Sequence, residues 1–208
     1  MDKFDKAIRV GDQIELRSKE NDSFLKTERV FGGICPASEE SPFYGCCFCQ
    51  LPHRTKSGKK KLVFLGEVES ELPEPFFDQL VELSRRFFCW QWYFNTSDAD
   101  DNAMESMCRL LENYTQARDI TQITLLPALT MDWNTGILTI QQWVGDEALE
   151  IHSGILASQL GRMTLTDRQA TRRKFFYAPD ALRALMGLAA QNRYRRNYTS
   201  QTVDYYFE

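Results

Sequence analysis

Apolar and polar positions alternate most clearly in the first half of this chain. Residues 29–35, RVFGGIC, are almost wholly apolar and short, the pattern of a strand buried on both faces. PASEESPFYG follows, rich in proline, serine and glycine, and reads as a loop. Tyr44 to Leu51 forms a second apolar run and Lys61 to Val68 a third. Between them HRTKSGKK, with Ser57-Gly58 at its tip, reads as a hairpin connection. Leu72-Pro-Glu-Pro then opens a helix, because proline in a first turn forfeits no hydrogen bond. Phe77, Leu80, Val81 and Phe88 continue it at helical spacing.

Trp90 to Phe94 is an aromatic strand. The next helix is capped by Asp100 or Asp101 and carries the stripe Met104, Met107, Cys108, Leu111 and Tyr114. Ile123 to Leu126 is a short strand. Ile137 to Val144 fits helix or strand, Leu149 to Ile151 is extended, and Ile155 to Leu160 is helical. Pro179 to Gln191, PDALRALMGLAAQ, is a helix by its proline start and its alanine and leucine content. The order β-β-β-α-β-α-β predicts an α/β domain with a mixed central sheet and helices on both faces. Residues 1–28 are polar and charged and are expected to be a flexible arm with one short strand near Ile14 to Leu16. The domain proper is expected at 29–192, with a basic and aromatic tail at 193–208.

Composition narrows the function. The chain has 208 residues, enough for one sizeable core, with 43% hydrophobic and 26% charged residues, a globular balance. A net charge of −4 argues against a surface that attracts nucleic acid everywhere, but leaves room for a local basic groove. No apolar run approaches the roughly 20 residues of a membrane span. The charged N-terminus is unlike a signal peptide, so a cytoplasmic location with six reduced cysteines is expected. Gly32-Gly33 lacks the Gly-Lys-Ser/Thr of a phosphate loop, which argues against ATP hydrolysis.

Three segments together resemble one family. RVFGGICPASEESPFYGCCFC, LGEVESELPEPFFDQLVELSRRF, and the pair DEALEIHSGILASQLGRM with PDALRALMGLAAQ are similar to the ribonuclease H-like nuclease domain of the large terminase subunit of tailed phages. That resemblance implies a ribonuclease H-like fold, double-stranded DNA as ligand, and a separate packaging ATPase or portal protein as partner. It also implies Mg²⁺ or Mn²⁺, used as two ions about 4 Å apart and held by carboxylates. The acids would stand at the ends of the first and fourth strands and at the last helix. Here the first position is Cys35 and the fourth strand ends at Asn95, both neutral. Asp180 matches the helix acid, and Asp98 and Asp100 lie just beyond Asn95 as substitutes in a shifted register. The acid one turn before Asp180 would fall on Phe176 or Tyr177. Glu67 and Glu69 are the reserve acids of the third strand. The expectation is a DNA-binding domain with impaired or absent cleavage, whose residual metal and catalytic residues are Asp180, Asp98 and Asp100. The alternative is a non-catalytic interaction protein that keeps the scaffold.

Other constellations are weighed beside this one. Lys56, Lys59, Lys60 and Lys61 at the hairpin, and Arg172, Arg173 and Lys174 further on, are the candidate phosphate contacts, against the plainer reading of solvated faces. Cys46, Cys49 and His53 have zinc-like spacing, with Cys35 as a fourth ligand. On a strand, however, Cys46 and Cys49 point to opposite faces, so a packing role is favoured. A Cys35 thiol nucleophile lacks a signature around either histidine, His53 or His152.

Overall fold

The computed structural model describes residues 4–38, 41–95, 101–117, 122–128, 131–152, 154–162 and 177–187. Three strands open the chain: β1 (Phe4–Val10), β2 (Gln13–Ser18) and β3 (Phe24–Thr27). They form a separate antiparallel sheet in the order β1-β2-β3. The expected flexible arm is thus corrected to a folded sheet. Phe4, Ala7 and Leu16 are buried in the core, and Arg86 ties β1 down by donating to the carbonyls of Asp5 and Phe4 at 2.5 and 3.0 Å.

The main sheet is built from β4 (Arg29–Cys35), β5 (Phe43–Arg54), β6 (Lys60–Ser70), β7 (Gln91–Asn95), β8 (Thr124–Ala128) and β9 (Leu149–Glu150). Its order is β8-β7-β4-β5-β6-β9. The hairpin-joined strands β4, β5 and β6 run antiparallel, whereas β7 lies parallel to β4, β8 to β7, and β9 to β6. The helices are α1 (Pro73–Phe87), α2 (Asp101–Ala117), α3 (Trp133–Gly145), α4 (Ile155–Arg162) and α5 (177–187). Three antiparallel strands, then helix-linked strands added in parallel beside the first, give the strand order of the ribonuclease H-like fold. The domain has that fold.

Two apolar layers separate the helices by face. α1, α2 and the small sheet pack on one side, around Ile34, Cys47, Leu80, Phe87, Trp92 and Leu111. α3, α4 and α5 pack on the other, around Phe31, Tyr44, Phe48, Ile137, Leu156 and Leu182. Trp92 is fully buried, and its indole N–H is satisfied by the Ser84 hydroxyl at 2.9 Å and the Cys89 carbonyl at 3.1 Å. The ambiguous 137–144 segment is helical, within α3. Asp132 caps α3 by accepting from the Thr135 N–H at 3.2 Å. Among the described residues no helix is long and apolar enough to cross a membrane.

Two glycines in β4 set the spacing of the layers. A Cβ at Gly32 would collide with the Trp92 ring, and one at Gly33 with the Ala181 backbone carbonyl of α5. Backbone cannot swing aside as a side-chain tip can. Gly33→Ala should therefore push α5 off the sheet and cost about 1–3 kcal/mol, read as a lower urea midpoint with an unchanged slope.

Candidate functional site: a neutralised acidic cluster at the end of β4

β4 ends at Cys35, half-buried, with its side chain toward the α5 layer. Gly33 lets the α5 backbone lie directly on this strand, which brings Asp180 and Arg183 to the thiol. Burial pushes the Cys35 pKa well up, and the charge of Asp180 and the neighbouring Cys46 add to this. Arg183 opposes them more weakly. Cys35 therefore keeps its proton at neutral pH and is neither a thiolate nucleophile nor a ligand for a hard cation.

Asp180 already has a protein partner. Its carboxylate accepts from the guanidinium of Arg183, three residues on along α5. Arg183 is only 1% exposed. Its Nη2 and Nε each donate to the Met131 carbonyl, at 2.7 and 3.2 Å, and its guanidinium lies 5.3 Å from the Trp133 ring. A buried guanidinium held in this way places a positive charge inside the site.

Glu67 and Glu69, the reserve acids, also reach this side of the sheet. Strict alternation along β6 would send them to the other face with Val63. An irregularity prevents it: Cys47 pairs with Gly66 but Phe48 pairs with Phe64, so Leu65 is an extra residue. Such a bulge re-aims every side chain beyond it. Glu67 then accepts from the Tyr44 hydroxyl at 2.7 Å and from the first backbone N–H groups of α4, Ile155 at 2.5 Å and Leu156 at 3.0 Å. It thus caps a helix 88 residues away in sequence. Gly154 leaves room for this, since a side chain there would strike the Glu67 carboxylate. Glu69 accepts from the Tyr177 hydroxyl at the start of α5. The two phenol rings meet edge to face, 5.1 Å apart. Burial first, and then the adjacent carboxylates and thiols, push both phenol pKa values up.

Among the described residues the donor set does not fit a two-metal centre. Mg²⁺ and Mn²⁺ need several free oxygen ligands. Here the first position is a protonated thiol, Asp180 holds an arginine, Glu67 takes three donors and Glu69 takes a phenol. Among the described residues no three His, Cys, Asp or Glu side chains form a group that could hold a metal ion. Asn95 closes β7 opposite Ala128, while Asp98, Asp100 and Phe176 lie outside the described residues. The sequence singled out Asp180 but missed Arg183, although an acid and an arginine three apart on a helix signal such a pair. It also missed Tyr44 and Tyr177 as donors.

Three of the four hairpin lysines have acidic partners. Lys59 pairs with Asp146 at 2.5 Å, Lys60 with Glu28, and Lys61 with Glu150, which also holds His152 Nε2 at 2.7 Å. Lys56 is exposed beside them. Arg172, Arg173 and Lys174, like residues 193–208, lie outside the described residues. Cys46 and Cys49 sit in opposite layers and His53 is exposed, so the three cannot share a zinc ion.

No family model matches the chain, and no curated protein matches it. Among solved structures it is similar to the yeast mitochondrial Holliday junction resolvase, at 15% identity and a TM-score of 0.44, over 83% of this chain and 85% of that one. The fold assignment stands on the strand order and directions themselves.

Cys35, Cys46, Cys47, Cys49 and Tyr44 all hold their protons in the fold at a pH where the unfolded chain releases them, chiefly because they are buried. Folded pKa values above unfolded ones stabilise the fold below the unfolded values, and that contribution is lost as pH rises. The urea midpoint should therefore show no loss from these groups up to about pH 8 and fall steeply above about pH 9, the ordinary thiol range.

Proposed function

We propose that this chain is a ribonuclease H-like domain of the terminase nuclease kind that binds double-stranded DNA with two-metal cleavage impaired or lost. The engagement of Asp180 by the buried Arg183, beside a protonated Cys35, is the observation that carries the loss of cleavage. A nuclease of this fold needs carboxylates free to share two ions. Among the described residues the matching positions are neutral or already hold protein donors. Double-stranded DNA, a phage or prophage packaging role, and a separate packaging ATPase or portal protein as partner come from the sequence resemblance. On this reading Lys56 and the segment Arg172, Arg173 and Lys174 supply the phosphate contacts.

One observation favours a second reading, a non-catalytic interaction protein that retains the scaffold. Three of the four hairpin lysines already have acidic partners, which leaves little cationic surface at the place the sequence pointed to. A protein partner would then engage the chain through its aromatic C-terminal residues.

Supercoiled plasmid incubated with the purified chain and Mn²⁺ should stay uncut, and Asp180→Ala should give the same trace. Robust nicking that disappears in Asp180→Ala would overturn the loss of cleavage.

Fluorescence anisotropy with a short duplex separates the two readings. Binding should weaken by tenfold or more between 50 and 200 mM salt, on the order expected for a handful of phosphate contacts. It should fall further in the Arg172→Ala, Arg173→Ala, Lys174→Ala triple variant and hardly change in Lys59→Ala. No binding at low salt, with a partner protein released by removal of residues 199–208, would replace the DNA reading with the second one.

A further inference from the structure

We infer that Arg183 is a built-in counter-cation: it gives Asp180 the positive charge that a divalent ion supplies to a nuclease carboxylate, and so makes the α5 side of the domain independent of metal. This deepens the proposed loss of cleavage at the same site and rests on it.

Three features support the role. First, the guanidinium is deeply buried, and a buried guanidinium is tolerated only with a counter-charge and with its N–H groups satisfied. Asp180 provides the charge and the Met131 carbonyl takes two further donors. Second, the site is shaped around this side chain. Gly136 of α3 lies against the arginine stem so closely that a Cβ there would come within 2.8 Å of Cγ and 3.0 Å of Cδ, and the Trp133 ring covers the cation. Third, the contacts join three pieces of chain on one side of the sheet. They are α5, the segment after β8, and the start of α3, all beside the end of β4. A metal ion holds such pieces only while bound. An arginine cannot dissociate, and at physiological pH it does not lose its charge.

The role is one of positioning through Asp180, so charge must matter as well as shape. Thermal unfolding of the full chain without DNA tests it. The wild-type midpoint should be the same within about 1 °C in EDTA and in millimolar Mn²⁺, because stabilisation by a ligand requires binding to the folded state. Asp180→Asn and Arg183→Met should each lower the midpoint by on the order of 10 °C, since each removes one half of the ion pair and leaves the other charge without it. The double variant, which buries no charge, should recover much of that loss. Arg183→Lys, which keeps the charge, should lose less than Arg183→Met.

Additive losses in the double variant, or equal losses for lysine and methionine, would reduce Arg183 to a packing residue and overturn the inference. A rise of several degrees in the wild-type midpoint with Mn²⁺ would also overturn it, and that measurement stands even if a variant fails to fold. A chain that binds no DNA yet gives the expected pattern keeps this inference and loses only the proposed ligand.

Discussion

The absence of side chains at two consecutive positions of β4 governs the rest of the domain. Gly32 opens one face of the strand to the Trp92 ring, and Gly33 opens the other to the α5 backbone. Both layers can then close onto the strand at the middle of the sheet. Packed layers are usually held apart by the side chains between them. Here the α5 main chain rests on the strand itself. That contact fixes where Asp180 and Arg183 stand relative to Cys35, and it places Tyr177 over Glu69. The chemistry of the cluster follows from a backbone contact that neither residue of the pair makes.

Within that frame the cluster is organised around carboxylates that accept from protein donors. Glu67 accepts from a helix N-terminus and a phenol, Glu69 from a phenol, and Asp180 from a guanidinium. The donors to Glu67 and Glu69 come from distant parts of the chain, so satisfying these acids also docks α4 and α5. Acids kept for catalysis impose strain and repulsion on a fold. These acids instead contribute to holding it together, as polar groups do once their hydrogen bonds are complete.

Much of this was legible in the sequence, for physical reasons that vary along the chain. The 29–35 segment was readable to the residue because it is continuous, apolar and bounded by an X-Pro step at Pro36. The small N-terminal sheet was not, because a register irregularity separates its two buried anchors, Phe4 and Ala7, by three residues and breaks the period-two signal. The lysine hairpin looked basic because its acidic partners, Glu28, Asp146 and Glu150, are remote in sequence. The Asp180–Arg183 pair was local and could have been read from the Asp-Ala-Leu-Arg spacing itself. What no spacing disclosed was its burial, which makes the pair consequential.

Leu65 has a wider meaning than its place in one strand. Each residue of a strand belongs to one of two layers according to whether its number is odd or even, and the extra residue inverts that assignment for the remainder of β6. Phe64 and Glu67 share a layer although their numbers differ in parity, and so do Leu65 and Val68. The strand thus carries two reading frames. The first places Leu62 and Phe64 beneath the α3 layer, and the second turns acids toward that layer where the sheet meets α4 and α5. A change in chain length at this point, unlike a substitution, would exchange the interiors of the two layers over five residues at once, so the count of residues here is under tighter constraint than their identity.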